Sequence, residues 1–447
     1  MSSPSTGSVI QIGSRRSRLG PLIKSGGAGS VYRMRDMPAQ VAKIYHANQD
    51  LKLYERKVTA MLELTPELPD LDLVGKRIVQ VAWPQRVLRD AHGRFLGYLM
   101  PAVDVDATSE LECVLQERQA KRMNLPTGLG PKVTLAANLA AVIAELHRQH
   151  HYVVDLKPVN LRFYPDALYM AMLDCDGFSI QGHGERFAAP QFTPDYLAPE
   201  FHVRALTEAG EHAQDCFALA VVVFQLLNFG IHPFTGRPAH ARVPTDLPGR
   251  IAGRWYAYGR APHGAMEPVP TSGHAAMPGE VRALFDRAFT GDASTRPTAR
   301  EWADLLRGYA ERARGRLLVC ARDAQHQHFA GAPCAACGRD QVLAGAAAAQ
   351  RSARPAVEPA PASSRPGARA KPGKAGKPGL SIKQRKKQKK RMAAAMARAP
   401  APASGRPARA PRRAATPQAK ADAFVVKVLL WMWGVICLFL LFAAFSN

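Results

Sequence analysis

Apolar and polar positions along residues 19–103 follow the spacing of short strands with one helix between them. Residues 41–45 and 95–103 are compact apolar runs, which are typical of buried strands. Residues 50–64 instead repeat apolar side chains every three or four positions, which is the period of a helix that buries one face. The pattern predicts a small lobe built on a β-sheet that carries one helix.

Longer helical patterns dominate the chain after residue 130. Residues 133–148 are rich in Ala and Leu, and residues 212–229 are apolar on almost every side, which is typical of a helix at the centre of a domain. Two further helical patterns occupy residues 279–290 and 298–314. We therefore predict a larger helical lobe after the smaller mixed one, in an α+β arrangement.

The composition changes at Ala344, where the chain becomes rich in Ala, Pro, Gly, Lys and Arg and nearly free of aromatic residues. Such a segment cannot bury enough apolar area to offset the entropy that it would lose on ordering. We therefore predict that residues 344–421 form a disordered tether.

Residues 424–445 are almost wholly apolar and contain one charge, Lys427. A helix of about 20 such residues crosses a hydrocarbon core of about 30 Å, so this stretch predicts a transmembrane helix. Basic residues before such a helix are expected to stay in the cytoplasm. We expect a single-pass C-terminal membrane anchor with the preceding domain in the cytoplasm. Richness in Ala, Arg and Pro suggests a bacterial source, and hence the bacterial inner membrane.

Positive charge is concentrated in the tether. Residues 351–421 hold 20 of the 60 Lys and Arg residues but one of the 36 acids, in a chain whose net charge is +24. A nucleic-acid arm would use the basic run at residues 383–391, yet aromatic side chains for base stacking are missing there, so we do not expect a nucleic-acid partner. Anionic lipid needs only charge, at about 1 kcal/mol per basic residue near the surface. We favour a spacer that also contacts anionic lipid.

The chain contains seven cysteines, and its N-terminus lacks the apolar segment of a secretory signal. An odd number of cysteines in a cytoplasmic protein argues against a disulfide framework. Residues 316–343, however, place a Cys-Ala-Ala-Cys pair close to another cysteine and two histidines. Thiolate and imidazole groups are the ligands of tetrahedral Zn²⁺, so this segment predicts a zinc knuckle. The predicted ligands are Cys320, His328, Cys334 and Cys337.

The choice of histidine in this knuckle depends on one neighbour. His328 precedes Phe329, an aromatic residue that would cap a small core, so we prefer His328 over His326. The alternative is that these are ordinary cytosolic thiols, which bind no metal.

Four polar residues in the middle of the chain have the order and spacing that phosphoryl transfer from ATP requires. Residues 152–160 read Tyr-Val-Val-Asp-Leu-Lys-Pro-Val-Asn and supply Asp155, Lys157 and Asn160, while Asp174 follows after a short gap. This chemistry needs a carboxylate to accept a proton, a cation beside the phosphate and oxygen ligands for Mg²⁺. The spacing predicts a phosphotransferase site in the helical lobe.

Two features of the small lobe indicate the same chemistry. Residues 24–32 read Lys-Ser-Gly-Gly-Ala-Gly-Ser-Val-Tyr, and small residues let backbone N–H groups approach a phosphate. Lys43 follows in a predicted strand that reads Val-Ala-Lys-Ile. Both lie ahead of the phosphotransferase residues in the chain.

Further motifs follow in the helical lobe. Residues 192–200 read Phe-Thr-Pro-Asp-Tyr-Leu-Ala-Pro-Glu, Asp215 lies in the buried helix, and Arg296 stands in the run Ser-Thr-Arg-Pro. With all these motifs in this order, residues 16–315 resemble a eukaryotic-type Ser/Thr protein kinase domain, in a bacterial variant that lacks the usual His-Arg before the catalytic Asp.

The resemblance implies a bilobal protein-kinase-like fold and transfer of the γ-phosphoryl group of ATP, with Mg²⁺, to Ser and Thr hydroxyls of protein substrates. Asp155 is then the expected proton acceptor, and Lys157 is expected to stabilise developing charge. Asn160 and Asp174 are expected to hold Mg²⁺. Lys43 is expected to orient the phosphates.

The resemblance also implies which residues bind the nucleotide. Lys43 is expected to pair with a carboxylate of the predicted helix at residues 50–64, where Glu55 is our choice and Glu63 the alternative. Met100 resembles the hinge residue against which adenine lies. The residues expected to cover the nucleotide are Gly26, Gly29 and Val31.

The same resemblance implies roles for four other residues, of which Glu200, Arg296 and Asp215 are structural. Thr193 is expected to form a hydrogen bond near the catalytic loop and to favour Ser or Thr as the acceptor. Glu200 is expected to form a buried ion pair with Arg296. Asp215 is expected to hold the backbone of the catalytic loop.

The sequence departs from the family pattern at several positions. Val153 and Val154 replace His and Arg, which removes an Arg that a phosphorylated loop would neutralise but removes no catalytic group. Lys24 stands in place of the first glycine. Cys175 and Asp176 replace Phe and Gly, so Asp176 is either a second carboxylate near the metal or the start of a shifted metal motif. The alternatives to an active protein kinase are a pseudokinase scaffold and a small-molecule kinase.

Overall fold

The computed structural model describes residues 4–73 and 75–352. The rest of the predicted tether and the predicted transmembrane helix at residues 424–445 lie outside the described residues. Within the described part, the predicted α+β fold class is confirmed, since a β-rich N-terminal lobe precedes a helical C-terminal lobe.

The described part of the N-terminal lobe contains eight strands, of which six close into an antiparallel barrel. The strands are β1 (Val9–Ile12), β2 (Arg15–Ser25), β3 (Gly29–Met34), β4 (Gln40–Tyr45), β5 (Leu71–Leu73), β6 (Lys76–Ile78), β7 (Arg86–Arg89) and β8 (Phe95–Pro101). The order around the barrel is β1, β2, β3, β4, β8, β7, whereas β5 and β6 form a separate hairpin. The sheet begins at Val9, before the predicted boundary at residue 16, because β1 pairs with both β2 and β7.

Strands β4 and β8 approach closely where Lys43 pairs with Tyr98. A Cβ atom on Gly97 would lie 1.9 Å from the Lys43 carbonyl oxygen, so only glycine permits this approach. Lys43 is consequently held inside the lobe, where it is 6% exposed.

One helix, α1 (Leu51–Glu63), packs against β8 and β7 of this barrel. Its side chains Val58 and Met61 are fully buried, and the ring of Tyr54 stacks on the ring of Tyr45 with centroids 4.1 Å apart. These inward positions follow the helical period, which leaves the intervening positions on other faces.

Among the described residues, seven α-helices form the C-terminal lobe. They are α2 (Leu111–Leu115), α3 (Glu117–Arg122), α4 (Leu129–Arg148), α5 (Glu208–Leu227), α6 (Leu247–Ala252), α7 (Gly279–Phe289) and α8 (Ala299–Ala310). Helix α4 packs along α8 and α5, and α5 is buried over most of its length, as its apolar sequence predicted. The helices predicted from periodicity are present as α4, α5, α7 and α8. Of the described helices, α4 is also the one with the length and apolarity to span a membrane, but 56% of its apolar window is buried inside the protein.

Short strands place the predicted catalytic segments on this helical base. They are β9 (Ser109–Glu110), β10 (Leu161–Phe163), β11 (Met170–Met172), β12 (Ile180–Gln181), β13 (Arg186–Phe187), β14 (Arg237–Pro238) and β15 (Met266–Glu267). Strands β10 and β11 are antiparallel, and Leu161 pairs with Met172. Since Asn160 precedes β10 and Asp174 follows β11, both residues lie at the open end of this hairpin.

A small module follows the helical lobe. It consists of β16 (Leu317–Val319), β17 (Gln327–Phe329) and α9 (Ala335–Ser352). The module contacts the lobe through Gln327, whose Oε1 accepts a hydrogen bond from the Gly130 N–H at 2.7 Å, and through Arg339, whose Nη1 lies 2.6 Å from Glu117 Oε2.

Helix α9 corrects the predicted start of the tether. Residues 344–352 were expected to be disordered, but they continue the helix to Ser352. The reason is local, because Ala346 to Ala349 form a run of the residue with the highest helix propensity.

Candidate active site

Asp155 lies at the centre of a hydrogen-bonded group in residues 152–160, the predicted catalytic loop. Its Oδ1 accepts a hydrogen bond from Thr193 Oγ1 at 2.6 Å, and its Oδ2 accepts one from Lys157 Nζ at 2.7 Å. Asn160 Nδ2 donates to the same Oδ2 at 3.0 Å, and Lys157 Nζ also donates to Thr193 Oγ1 at 2.6 Å. The structure therefore brings the predicted residues of the loop together and fixes the orientation of the carboxylate.

The backbone of the catalytic loop is held by Asp215 of α5. Its two carboxylate oxygens accept hydrogen bonds from the N–H groups of Val153 and Val154, both at 2.7 Å. Val154 has a φ angle of 64°, a left-handed conformation that is strained for a β-branched residue. Asp215 thus stabilises the strained turn that leads directly into Asp155.

Asn160 and Asp174 offer oxygen atoms for a metal ion. The amide nitrogen of Asn160 donates to the carboxylate and to the carbonyl oxygen of Asp155, both at 3.0 Å, and its amide oxygen has no protein partner among the described residues. Asp174 has a φ angle of 53°, and its side chain is 65% exposed. Carboxylate and amide oxygens are the hard donors that Mg²⁺ takes in proteins, so this pair fits the ion.

Lys43 connects the β-rich lobe to the segment that follows β11. Its Nζ lies 2.6 Å from Asp176 Oδ1 and 3.2 Å from Asp174 Oδ1. The Asp176 carboxylate also accepts hydrogen bonds from the hydroxyl groups of Tyr45, at 2.8 Å, and Tyr98, at 2.9 Å. Asp176 is 3% exposed, so it is a buried carboxylate whose oxygens both have partners.

The Lys43–Asp176 pair is held in its charged form. Burial raises the pKa of Asp176, but the charge of Lys43 and hydrogen bonds from Lys43 and two tyrosines lower it by more, so the pKa lies below its ordinary value. Burial also lowers the pKa of Lys43, but the carboxylates of Asp176 and Asp174 raise it by more. Each partner therefore favours the ionised form of the other.

The predicted pairing of Lys43 with a glutamate of α1 is wrong. Glu55 Oε1 lies 2.6 Å from Arg89 Nη2, and the alternative, Glu63, lies 3.2 Å from His183 Nε2. Successive helix residues are about 100° apart around the axis, so Glu55 lies off the inward face that Tyr54 occupies. Asp176 supplies the carboxylate in its place.

Lys57 lies on the inward face of α1, where the sequence predicted a glutamate that pairs with Lys43. It is 4% exposed, and its Nζ donates to the Phe178 carbonyl oxygen at 2.6 Å. Burial lowers the pKa of Lys57 to about 8, against the opposing effect of Asp176. With a lysine on this face, the counter-charge for Lys43 comes from the chain segment after β11.

The glycine-rich turn and the predicted hinge residue lie on the same lobe. The Gly26 N–H donates to the Gly29 carbonyl oxygen at 2.9 Å, and a Cβ on Gly29 would lie 2.5 Å from a carbonyl oxygen of β4. Val31 and Met100 belong to one apolar cluster that Leu173, the neighbour of Asp174, also joins. The predicted nucleotide residues therefore border the segment that carries the predicted metal ligand.

A buried ion pair anchors the end of residues 192–200. Arg296 donates from Nη1 and Nη2 to the two carboxylate oxygens of Glu200, both at 2.6 Å, and Arg296 is 4% exposed. Burial raises the pKa of Glu200, but Arg296 lowers it by more, so the pKa is below its ordinary value. The structure thus contains the predicted Glu200–Arg296 pair.

Three cysteines of the C-terminal module form a cluster. The sulfur atoms of Cys320, Cys334 and Cys337 lie within 4.8 Å of one another. The histidine that reaches them is His326, whose Nδ1 lies 3.4 Å from Cys337 Sγ. The predicted ligand His328 instead directs its Nδ1 to the carbonyl oxygen of the next residue, at 2.9 Å.

The position of His326 has a local cause. The N–H of Cys320 donates to the His326 carbonyl oxygen at 3.0 Å, which closes the β16–β17 hairpin and places His326 beside the cysteines. Three thiols and one imidazole form a donor set that fits tetrahedral Zn²⁺, with His326 in place of His328.

Sequence reasoning did not identify the tyrosines around Asp176. Tyr45 could have been predicted from the sequence, because it lies two residues after Lys43 on a strand and therefore on the same face. Tyr98 could not have been predicted, since it reaches Asp176 through the pairing of β4 with β8, which the sequence pattern does not specify.

Comparison with known proteins gives two curated relatives, while no protein-family model matches this chain. Protein kinase YegI of Escherichia coli O157:H7 is 30% identical over 295 residues, which are 63% of this chain and 43% of that protein. Protein kinase YegI of Escherichia coli strain K12 is 28% identical over 316 residues, which are 69% of this chain and 46% of that protein. The chain thus spans less than half the length of each relative.

Among solved structures, the autoinhibited serine kinase domain of the giant muscle protein titin aligns with 15% identity and a TM-score of 0.48. That alignment covers 68% of this chain and 82% of the titin chain. Sequence similarity to the two curated kinases agrees with the grouping of Asp155, Lys157 and Asn160 in the structure. In sequence, this chain is therefore similar to protein kinases over about two thirds of its length.

Proposed function

We propose that this chain is a Ser/Thr protein kinase, which transfers the γ-phosphoryl group of ATP to hydroxyl groups of protein substrates with Mg²⁺ as the metal. The observation that carries the proposal is the group formed by Asp155, Lys157 and Thr193, with mutual hydrogen bonds of 2.6–2.7 Å. A carboxylate, an ammonium group and a hydroxyl meet there next to Asn160, on the hairpin that leads to Asp174.

The positions of the side chains support a division of roles. Asp155 accepts the proton of the substrate hydroxyl, since its carboxylate is oriented by three donors. Lys157 places positive charge where the attacking oxygen meets the phosphoryl group. Asn160 and Asp174 would hold Mg²⁺, which supplies charge neutralisation at the phosphates.

Lys43 orients phosphate oxygens in this proposal, and Asp176 keeps it in place. The buried carboxylate holds the ammonium group between the lobes, and Asp174 lies 3.2 Å away on the exposed side. Because two carboxylates surround it, Lys43 stays charged and needs no glutamate from α1.

The proposed preference for Ser and Thr rests on Thr193. Its hydroxyl donates to Asp155 and accepts from Lys157, so residues 192–200 are tied directly to the proton acceptor. The Glu200–Arg296 pair anchors the other end of these residues to the helical lobe. A segment fixed at both ends supports a groove for an extended peptide beside Asp155.

The test uses the full-length chain, purified in detergent and incubated with Mg²⁺, a generic protein substrate and ATP labelled on its γ-phosphate. We expect transfer to the substrate or to the chain itself, as phosphoserine and phosphothreonine. Asp155→Ala and Asp174→Ala should each abolish it, whereas the matched control Asp166→Asn, an exposed carboxylate in the β10–β11 turn, should keep it.

Each other outcome points to a named alternative. Nucleotide binding without transfer would replace the proposal with a pseudokinase scaffold. Transfer confined to small acceptors would indicate a small-molecule kinase, and phosphotyrosine as the product would contradict the proposed specificity.

We also propose that residues 424–445 tether the kinase to a membrane, with the kinase domain in the cytoplasm. The richness of the chain in Ala, Arg and Pro favours a bacterial source and hence the bacterial inner membrane. The support is the apolar stretch with one charge and the basic residues on its N-terminal side, which also suit contact with anionic lipid. The full-length chain should sediment with membranes, and a chain that ends at residue 421 should leave that fraction. Equal distribution of the two chains would contradict the tether.

A further inference from the structure

A second group of metal-ligand side chains lies outside the active site and outside the cysteine cluster. His147 comes from the last turn of α4, and His212 and Cys216 come from the first half of α5. One ligand atom from each of these three residues lies within 4.8 Å of the others. His212 and Cys216 are four residues apart on a helix, so they project from the same face.

The hydrogen bonding of His147 suits a metal ligand. Its Nε2 lies 3.2 Å from Asp215 Oδ2, and its Nδ1 is buried with no hydrogen-bond partner among the residues that the structure describes. A metal-binding histidine commonly donates its other ring N–H to a carboxylate, which fixes the tautomer and leaves the lone pair for the metal. The bond to Asp215 gives His147 this arrangement, with Nδ1 as the free nitrogen.

The other two side chains complete a pocket of donor atoms. Cys216 Sγ lies 3.9 Å from both ring nitrogens of His212, and the two imidazole rings have centroids 4.7 Å apart. Tyr152 contacts both rings edge-on, at 5.3 Å and 5.8 Å, and forms one wall. Cys216 is 1% exposed, whereas His212 is partly exposed and leaves a path from solvent.

Charge around the group favours a cation. The Asp215 carboxylate, next to Cys216 in the chain, is fully buried and hydrogen-bonded to His147. Two imidazoles and a thiolate are borderline to soft donors, which Zn²⁺ prefers over Mg²⁺ or Ca²⁺. A tetrahedral ion held by three side chains would keep its fourth position for water.

We propose that His147, His212 and Cys216 bind a Zn²⁺ ion that joins the end of α4 to α5. The ion would act on the catalytic loop through Asp215, which accepts from His147 and from the N–H groups of Val153 and Val154. A metal on His147 makes its remaining N–H a stronger donor and holds the carboxylate in place. The site is therefore a positioning device for the strained turn before Asp155.

The first measurement is the zinc content of the full-length chain after metal removal and reloading with Zn²⁺. The wild type should hold two ions per chain, one at the cysteine cluster and one at His147, His212 and Cys216. His212→Ala should lose one of them. His92→Ala, a control that changes an exposed histidine in the β7–β8 turn, should keep both.

The second measurement isolates the new site in a chain that carries Cys334→Ser and Cys337→Ser. Loaded with Co²⁺, this chain should show a thiolate-to-cobalt charge-transfer band that disappears when Cys216→Ser is added. Zn²⁺ should also raise its unfolding temperature, and adding His212→Ala should remove that shift.

Two results would overturn the proposal. One is that the Cys334→Ser/Cys337→Ser chain binds no metal while the wild type binds one ion. The other is that His212→Ala binds as much metal as the wild type. This comparison changes one partly exposed side chain and does not depend on folding of the cysteine variants. Both readouts are independent of kinase activity.

Discussion

Lys43 Nζ and Asp176 Oδ1 lie 2.6 Å apart in the interior, although the two residues are 133 positions apart in the chain. Lys43 is on a central strand of the small lobe, and Asp176 follows the strand that leads to Asp174. The pair therefore links the lobe expected to hold the nucleotide to the segment expected to hold the metal. Its integrity should matter for both stability and activity.

The first prediction concerns this pair. Asp176→Asn should lower the free energy of unfolding by about 3 kcal/mol, because it leaves a buried lysine without its main counter-charge. Phosphoryl transfer should fall by up to about 100-fold, since Lys43 would no longer be held in position. Chemical denaturation and steady-state kinetics measure the two effects.

The control for this prediction is Glu55→Gln, which changes the carboxylate that was expected from the sequence to pair with Lys43. Glu55 contacts Arg89 in a half-exposed ion pair, so the loss should be below about 1 kcal/mol, with little change in transfer. A larger loss of transfer in Glu55→Gln than in Asp176→Asn would show that Glu55 moves to Lys43 during turnover.

The second prediction concerns Thr193. Thr193→Ala removes a hydroxyl that hydrogen-bonds to both Asp155 and Lys157, and a bond to a charged group contributes about 1.5–3 kcal/mol. Transfer to protein substrates should fall by about 10- to 100-fold. Thr193→Ser keeps the hydroxyl and should restore most of the activity. Equal rates for the Ala and Ser variants would remove Thr193 from the catalytic group.

The third prediction concerns the Glu200–Arg296 pair. Arg296→Met should lower the free energy of unfolding by about 3–5 kcal/mol, because Glu200 would be left as a buried charge without a partner. Arg300→Met is the matched control, since Arg300 pairs with Asp304 on the exposed face of α8, with side chains 76% and 58% exposed. The control should change stability by less than about 0.5 kcal/mol. Similar losses in both variants would contradict a special role for the buried pair.

The fourth prediction concerns Lys132 of α4, which is 6% exposed. Its side chain lines a cavity together with Glu117 and Arg339. Burial lowers the pKa of Lys132 from 10.5 to about 8. Below pH 8 both folded and unfolded chains carry the proton, so the cost of burying the charge is fully present. Between pH 8 and 10.5 the unfolded chain binds more protons than the folded chain, so the contribution of Lys132 to stability rises with pH.

Lys132→Met should therefore be more stable than the wild type at pH 7, by about 3 kcal/mol at most, and the difference should shrink by pH 10. Lys52→Met, an exposed lysine of α1, should show no such pH dependence. Unfolding midpoints at the two pH values test this, and a pH-independent difference for Lys132→Met would contradict the assigned pKa shift.

The fifth prediction concerns the cysteine cluster. If Zn²⁺ is held by Cys320, Cys334, Cys337 and His326, then His326→Ala should weaken zinc binding by at least about tenfold. Loss of a side chain that only supports a metal ligand already weakens metal binding by about that factor. His328→Ala should bind zinc as the wild type does, because its Nδ1 contacts a carbonyl oxygen instead. Titration with a competing chelator measures both, and the reverse order of effects would reinstate His328.

Some parts of the site could be predicted because they are local in the chain. Asp155, Lys157 and Asn160 lie within one loop, and their spacing alone brings them to one place. The helices α4 and α5 could be predicted because their apolar periodicity is strong. His326 could not be chosen over His328 in this way, since the choice depends on how the β16–β17 hairpin closes.

The sequence by itself determined the order of the lobes, the resemblance to protein kinases and the position of the predicted catalytic loop, because these depend on residue types at short fixed spacings. Only the tertiary structure decided the partner of Lys43. That choice depends on the rotation of α1, which turns Tyr54 and Lys57 inward, and on the pairing of β4 with β8, which brings Tyr98 to Asp176. Contacts between distant segments are set by packing, and the rotation of a helix about its axis decides whether Glu55 or Lys57, two residues further on, faces the interior.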